Sequence, residues 1–173
     1  MITNYQKCLL CITCCVLSLN VFSQTELMTI KCQSFDKEVI VDSDFLNKII
    51  LIDEYSKKHN IHILVQQSFR IVGEKIDNAI VNPILRSNHF VGHAIDLNIE
   101  YDGIWYNSTK LRKYSELPEA IINFIMFCQI NGIRWGGDFI VQDVVHFDDN
   151  IEETNPMLYN ALFLSYQKIY FMK

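Results

Sequence analysis

Lysine and arginine are scarce in this chain, and they do not cluster. The 173 residues contain 15 Lys and Arg against 20 Asp and Glu, for a net charge of −5. Without a basic patch or a Lys/Arg run, nucleic acid is not expected as a partner. Glycine and proline are also few, at 6 and 3 residues, and no repeat or flexible linker is visible. The chain is therefore expected to fold as one domain with a hydrophobic core.

The first 23 residues are typical of a secretory signal peptide. Lys7 is their only charged residue, and residues 8–22 are mostly apolar. That run is shorter than the roughly 20 residues of a comfortable membrane span. Val21-Phe22-Ser23 suits a signal peptidase, with cleavage before Gln24, and an uncleaved anchor is the alternative. We expect a secreted or periplasmic domain over residues 24–173, with no stable membrane anchor after cleavage.

The cysteines do not predict a disulfide scaffold. Four of the six lie in the expected signal peptide, which leaves Cys32 and Cys128. These two could form one bridge in an oxidising compartment, or both could be small buried hydrophobic residues. Neither has a C-x-x-C partner, so neither is predicted to bind a metal ion.

Hydrophobic periodicity predicts an α+β domain with a small antiparallel sheet and flanking helices. Alternating residues and turn signals indicate two hairpins, and helical spacing with capping residues indicates three main helices. The predicted strands are 27–32, 38–41, 61–65, 94–99, 104–106 and 144–147, and the predicted helices are 44–59, 118–132 and 156–170.

Two histidines and one aspartate are the candidate metal ligands. His89 and Asp96 lie seven residues apart with Gly92 between them, and glycine permits the turn that brings the two side chains together. His146 follows fifty residues later on a separate predicted strand. Two imidazoles and a carboxylate suit Zn²⁺, and three protein ligands leave one position open, as in catalytic sites.

Asp143 and Arg70 are the candidate catalytic residues. Asp143 is three residues before His146 and must lie in the turn that leads into the strand if it is to reach the same side. There it could take a proton from a metal-activated water and pass it to a departing amine. Arg70 could stabilise the developing oxyanion or hold a substrate carboxylate.

Each of these residues also has an ordinary interpretation, because single histidines and arginines are usually structural or solvent-exposed. Their joint occurrence favours the metal site. His89 and His93 have the spacing of the H-E-x-x-H helix motif, but Phe90 replaces the glutamate and Gly92 disfavours a helix. We therefore expect His93 to be a structural residue or to lie at the rim of the site.

Three motifs together resemble the zinc peptidases of bacterial cell walls. The first is S-x-H-x-x-G-x-A-x-D, which residues 87–96 match. The second is the segment Gly132-Ile133-Arg134-Trp135-Gly136-Gly137-Asp138, and the third is D-x-x-H-F at residues 143–147. The similar proteins are VanY-type D-alanyl-D-alanine carboxypeptidases and L-alanyl-D-glutamate peptidases. The resemblance covers about residues 61–148.

This resemblance implies a hedgehog/D,D-peptidase-like zinc fold, zinc on His89, Asp96 and His146, and Asp143 as the catalytic base. It implies peptidoglycan stem peptides as substrates, with the tryptophan-containing segment favouring the L-alanyl-D-glutamate type over the D,D-carboxypeptidase type. Asp138 could support the site from behind. The usual Gly-Tyr-Arg of the family is Ser68-Phe69-Arg70 here, which retains the arginine and loses a tyrosine hydroxyl.

Two other interpretations stay open at the level of sequence. Hedgehog-type domains share this zinc fold without established peptidase activity, so a non-catalytic binding module is the alternative from another class. The intact Asp143 argues against that alternative, because a binding module needs no base. A secreted toxin aimed at rival cell walls would have the same motifs as a housekeeping hydrolase. The oligomeric state does not follow from these patterns.

Overall fold

The computed structural model of this protein describes residues 26–73 and 86–171. The predicted signal peptide therefore lies outside the described residues. Within the described ranges, no helix is long and apolar enough to cross a membrane.

Five strands of the described chain form one antiparallel sheet. In chain order these strands are β3 (Ile61–Gln67), β4 (Ala94–Tyr101), β5 (Ile104–Tyr106), β6 (Arg134–Trp135) and β7 (His146–Asp148). The long strand β4 pairs with β3, with β5 and with β7, and β7 pairs in turn with β6. Strand β7 pairs with the first three residues of β4, whereas β5 pairs with its last three. The candidate metal ligands on β4 and β7 are thereby brought side by side.

Two helices cover the apolar face of this sheet. Helix α1 (Leu46–Lys58) precedes β3, and helix α3 (Glu119–Ile130) precedes β6; the short helix α2 (Ser108–Leu111) lies between β5 and α3. The core side chains of α1 and α3 are fully buried with alternate residues of β3, β4 and β7. They include Ile49, Ile52, Phe124, Ile125, Ile63, Ile95, Leu97, Ile99 and Phe147. Alternation along the strands and helical spacing along the helices place these apolar residues on the buried face, as the sequence predicted.

The amino-terminal hairpin forms a separate two-stranded sheet, β1 (Leu27–Ile30) with β2 (Val39–Asp42). It is nevertheless part of the main core, because Val39 and Val41 are fully buried there. The predicted α+β class, both hairpins and the three main helices are confirmed, with bounds that differ by a few residues.

The carboxy-terminal helix supports the loop that carries His89. A short 3₁₀ helix (Asn88–Val91) leads into β4, and it packs against α5 (Pro156–Phe171), which follows the short helix α4 (Ile151–Thr154). Tyr159 donates its hydroxyl hydrogen to the Ser87 carbonyl and accepts a hydrogen bond from the Ser87 amide. Gln167 donates to the carbonyl of Phe90 at 2.7 Å. These bonds hold both ends of the loop.

Gly92 is required where the 3₁₀ helix turns into β4. Its φ is +74°, and a Cβ atom there would lie 2.6 Å from the backbone nitrogen of Asp42. Both the left-handed backbone and the close packing exclude a side chain. The glycine predicted to permit the turn between His89 and Asp96 therefore does so.

His93 is buried between two carboxylates and is structural. Its Nδ1 lies 2.9 Å from Asp149 Oδ2 and its Nε2 lies 3.5 Å from Asp42 Oδ1, and Tyr166 donates a hydrogen bond to Asp42. Burial by itself would lower the pKa of His93, but Asp149 and Asp42 outweigh it and raise that pKa to about 9. His93, which was not predicted to be a metal ligand, thus links the amino-terminal hairpin, the start of β4 and the segment after β7.

Cys32 and Cys128 are free thiols, and both are buried. Burial raises the pKa of the Cys32 thiol to about 11 and raises that of Cys128 as well. The sequence left open either a bridge between these cysteines or two small buried side chains. The structure has two buried side chains without a bridge.

Replacing His93 is expected to reduce the pH dependence of stability. In an unfolded chain histidine has a pKa of about 6.5, so protonated His93 contributes its full stabilisation below that pH. This contribution is lost as the pH rises through 9. The shift corresponds to about 3 kcal/mol of unfolding free energy. We expect His93→Gln to be less stable than wild type at pH 6 and nearly equal to it at pH 10.

The measurement is urea denaturation of the metal-free protein across that range, with the exposed His62→Gln as the control. Equal pH slopes for wild type and His93→Gln would contradict the assigned role.

Candidate metal centre and active site

Three side chains from separate elements converge with their ligand atoms in mutual contact. His89 Nε2 lies 3.1 Å from Asp96 Oδ1 and 3.1 Å from His146 Nδ1, and His146 Nδ1 lies 3.0 Å from the same carboxylate oxygen. His89 and His146 are nearly inaccessible to solvent, and Asp96 is half-buried. The structure thus brings together the three ligands predicted from the sequence.

The backbone of the preceding strand orients His89. Its Nδ1 lies 2.7 Å from the carbonyl oxygen of Ser68, at the end of β3. A carbonyl only accepts hydrogen bonds, so Nδ1 carries the hydrogen and Nε2 presents its lone pair to Asp96 and His146. The hydroxyl of Ser87 accepts a hydrogen bond from the His89 amide at the start of the 3₁₀ helix. Ser87, the first residue of the first motif, therefore has a local capping role.

Asp96 and His146 face each other because of strand register. They are direct partners in the antiparallel pairing of β4 with β7, and such partners lie close enough for their side chains to meet. Burial by itself would raise the pKa of Asp96, but the charges and hydrogen bonds of His89 and His146 hold it well below its usual range. The carboxylate is therefore ionised and ready to act as a ligand.

A buried carboxylate, Asp148, holds the far side of the His146 ring. His146 Nε2 lies 3.0 Å from Asp148 Oδ2. Arg134 donates to both oxygens of Asp148, at 2.7 and 2.9 Å, and Asn88 donates to one of them at 2.8 Å. Although burial opposes it, these contacts lower the pKa of Asp148. The ionised Asp148 fixes the hydrogen on His146 Nε2 and leaves Nδ1 to face the other two ligands.

This arrangement fits a bound metal ion. Each imidazole has a partner for its outer nitrogen, so once both rings are neutral two nitrogen lone pairs and a carboxylate oxygen point at one another, and a metal cation between them would offset their repulsion. The separations of 3.0–3.1 Å approach the edge of a tetrahedron around a metal with ligands at 2.0–2.1 Å, which is about 3.3 Å. His89, Asp96 and His146 could therefore hold one metal ion.

In this metal-free form His146 binds a proton strongly. Burial by itself would lower its pKa, but Asp148 and Asp96 raise it to about 10. A metal ion must displace that proton, because metal ligands bind in their deprotonated form.

Asp143 lies in the turn that leads into β7, as the sequence required. The amide of His146 donates to the Asp143 carbonyl at 3.0 Å, and the Asp143 amide donates to the carbonyl of Gly136 at 2.9 Å. Burial, followed by the negative charge of Asp96, raises the pKa of Asp143, while His146 and His89 oppose that rise. The carboxylate is thus close enough to the ligands to interact with them electrostatically.

Gly136 allows this turn to pack against the metal ligands. A Cβ atom there would lie 2.2 Å from the Asp143 carbonyl oxygen and 3.1 Å from the Cβ of His146. A side chain would push the turn away from β7. The first of the two consecutive glycines in the second motif is therefore required sterically beside His146.

Arg70 is buried next to the loop that carries His89. Its amide donates to the His89 carbonyl at 3.2 Å, its Nη1 donates to Gln67 Oε1 at 3.2 Å, and its guanidinium lies 4.8 Å from the centre of the Phe90 ring. These contacts place Arg70 beside the metal ligand His89, and its catalytic role stays a prediction.

The sequence suggested that Asp138 could support the site. In the structure it is Asp148 that contacts the candidate ligand His146. Asp138 is exposed and accepts a hydrogen bond from Gln129. The contact of Asp148 with His146 could have been predicted from the sequence, because residues two apart on a strand share a face. The contact of Arg134 with Asp148 could not, because it depends on the pairing of β6 with β7.

Comparison with known proteins agrees with this site. Residues 82–149 match the family of D-alanyl-D-alanine carboxypeptidases, peptidase family M15. The matched stretch contains all three sequence motifs and all three candidate metal ligands, and it confirms the predicted resemblance to these peptidases. Peptidases of this family are metallopeptidases.

Curated proteins provide no match to this chain. Among solved structures, that of the Serratia marcescens L-Ala D-Glu endopeptidase ChiX aligns with 66% of this chain and 84% of its own. The identity is 22% and the TM-score is 0.41.

Replacing Asp148 is expected to weaken metal binding without removing a ligand. Asp148→Asn loses the charge that fixes the His146 ring, so we expect the affinity for Zn²⁺ to fall by about 10- to 100-fold. The measurement is competition titration with a chromophoric chelator at pH 7.5. Asp53→Asn is the matched control, since Asp53 is also paired with a cation, Lys57, but lies on α1. Equal losses in both variants would contradict the role of Asp148.

Proposed function

We propose that this protein is a zinc peptidase that cleaves a peptide bond in the stem peptides of bacterial peptidoglycan. The observation that carries the proposal is the ligand set of His89, Asp96 and His146, with Asp143 in the adjoining turn, inside the segment that matches the peptidase family.

Zinc is the metal that this ligand set favours. Two imidazole nitrogens and one carboxylate oxygen combine borderline and hard donors, which suits Zn²⁺ better than Mg²⁺ or Ca²⁺. Zinc with three protein ligands supplies a Lewis acid that polarises a substrate carbonyl and lowers the pKa of a water molecule to about 7.

The proton transfers fall to Asp143 in this proposal. Its carboxylate takes a proton from the attacking water and delivers it to the amine that leaves when the C–N bond breaks. Arg70 would stabilise the negative charge that develops on the carbonyl oxygen, or bind a substrate carboxylate. The backbone bond between Arg70 and His89 supports this role, because it keeps Arg70 beside the candidate ligand.

The L-alanyl-D-glutamate bond is the preferred candidate, and the D-alanyl-D-alanine bond is the second. The Trp135–Asp138 segment supports the first choice, through its resemblance to the peptidases of that type. The matched family is named for the second activity.

The proposed site of action is outside the cytoplasm, in the periplasm or beyond it. The pattern of residues 1–23 supports export, and peptidoglycan is an extracytoplasmic substrate.

The sharpest test of the proposed mechanism is Asp143→Asn. We expect it to lower kcat by about 10²- to 10⁴-fold, because the base is lost, while one zinc ion per chain is retained. Digestion of purified muropeptides with and without a chelator, followed by mass spectrometry of the products, measures the rate and identifies the bond. Asp102→Asn, at an exposed turn between β4 and β5, is the control and should leave the rate unchanged.

The same experiment decides between an enzyme and a binding module. Absence of chelator-sensitive cleavage of any stem peptide by the zinc-loaded protein would refute the peptidase proposal. Full activity in Asp143→Asn would refute the role of the base while leaving a peptidase. A protein that binds zinc and stem peptides without cleaving them would be a hedgehog-like binding module.

A further inference from the structure

Asn98 is a buried polar residue in the middle of β4. Only 5% of it is accessible to solvent, and asparagine is uncommon in strands. It follows Asp96 by two residues, and alternate residues of a strand share a face. The neighbours that alternate with it, Ile95, Leu97 and Ile99, belong to the hydrophobic core. Asn98 therefore lies on the face of the sheet that carries the candidate metal ligands.

The carboxamide of Asn98 is unpaired. In the described part of the chain, no group accepts a hydrogen bond from it or donates one to it. Asn88 is buried to the same degree, yet it donates to Asp148 and accepts from the amide of Glu152. Burying a carboxamide without a partner is costly, and most buried polar groups in proteins are paired. An unpaired carboxamide on this face therefore calls for a partner from outside the chain.

A ligand can reach this carboxamide from the side of the metal centre. Its nitrogen and oxygen keep contact with solvent although the rest of the residue is enclosed. On one side lies Leu64, its half-buried strand partner on β3. On the other side lies the turn that carries Asp143, because the amide of Leu97 donates to the Val145 carbonyl at 2.9 Å. Asn98 is thus next to both the candidate ligand Asp96 and the turn of the proposed base.

The spacing and chemistry of this position suit an extended peptide. Two residues of a strand span ~6.6 Å, and an extended substrate has the same rise per residue. When one peptide bond lies at the metal centre, a neighbouring peptide group can therefore reach Asn98. A carboxamide has both an N–H donor and an oxygen acceptor, which match the carbonyl and the N–H of a peptide group.

We propose that Asn98 binds a peptide group of the substrate that neighbours the cleaved bond. Its nitrogen donates to the carbonyl oxygen of that group, and its oxygen accepts from the N–H. The inference rests on the proposed function and adds a residue that aligns the substrate with the metal centre. Each of the two candidate bonds is flanked by at least one further peptide group of the stem, so the role applies to either.

The test uses synthetic stem peptides in which one uncleaved amide next to the cleaved bond is replaced by an ester, which removes its N–H. We expect wild type to cleave one such ester peptide with about 3- to 10-fold lower kcat/KM than the amide peptide, as the loss of one hydrogen bond predicts. Asn98→Ala should lose about tenfold on the amide peptide, mainly through a higher KM. It should show no further loss on that ester peptide, because the partner of the N–H is already gone.

Two further variants complete the experiment. Asn98→Leu fills a similar volume without hydrogen-bonding atoms, so it should behave like Asn98→Ala and serves if the alanine variant is unstable. Asn123→Ala, on the exposed side of α3, is the matched control and should equal wild type on every peptide. Both Asn98 variants should retain one zinc ion per chain. A purely structural role would slow cleavage of the amide and ester peptides in the same proportion as in wild type.

The role of Asn98 and the proposed function fail in different ways. Unchanged kcat/KM in both Asn98 variants, or an equal ester effect in wild type and variants, would overturn the role and leave the peptidase intact. Cleavage of no stem peptide by wild type would overturn the proposed function instead. In that event calorimetric titration of the amide peptide into zinc-loaded wild type and Asn98→Ala tests the role alone. About tenfold weaker binding by the variant would support it, whereas equal affinities or no binding by wild type would overturn it.

Discussion

The site depends on the antiparallel register between β4 and β7. That register sets Asp96 opposite His146, and a slip of one residue would turn either side chain to the apolar face of the sheet. The buried residues on that face, with Leu97 and Phe147 among them, make such a slip costly because it would expose them. The hydrophobic core thus fixes the geometry of the polar site.

Two buried networks meet at the end of β7, in the dipeptide Asp148-Asp149. Asp148 connects His146 to Arg134 and Asn88, whereas the next residue, Asp149, connects to His93. Consecutive residues of an extended chain point in opposite directions, so one dipeptide serves both the metal centre and the buried histidine. This arrangement couples the integrity of the site to the packing of the amino-terminal hairpin, which supplies Asp42.

Much of the fold could be predicted from local pattern. The alternation in β4, the turn at Asp102-Gly103 and the helix bounded by Pro118 and Gly132 are all confirmed, since each depends on neighbours in sequence. Helix and strand ends differ by a few residues, because tertiary hydrogen bonds decide where an element stops. That the amino-terminal hairpin contributes Val39 and Val41 to the core did not follow from local pattern, because it depends on tertiary packing.

The sequence by itself determined the residues of the candidate centre: two histidines and an aspartate, the glycine at position 92 that lets the chain turn between two of them, and the carboxylate three residues before His146. Only the tertiary structure decided which carboxylate supports the candidate ligands, Asp148 and not Asp138. The candidate ligands can be predicted because they depend on residue types and short spacings, which a sequence motif contains. Which distant groups meet depends on strand pairing and helix packing, and these are set by the burial of the whole core.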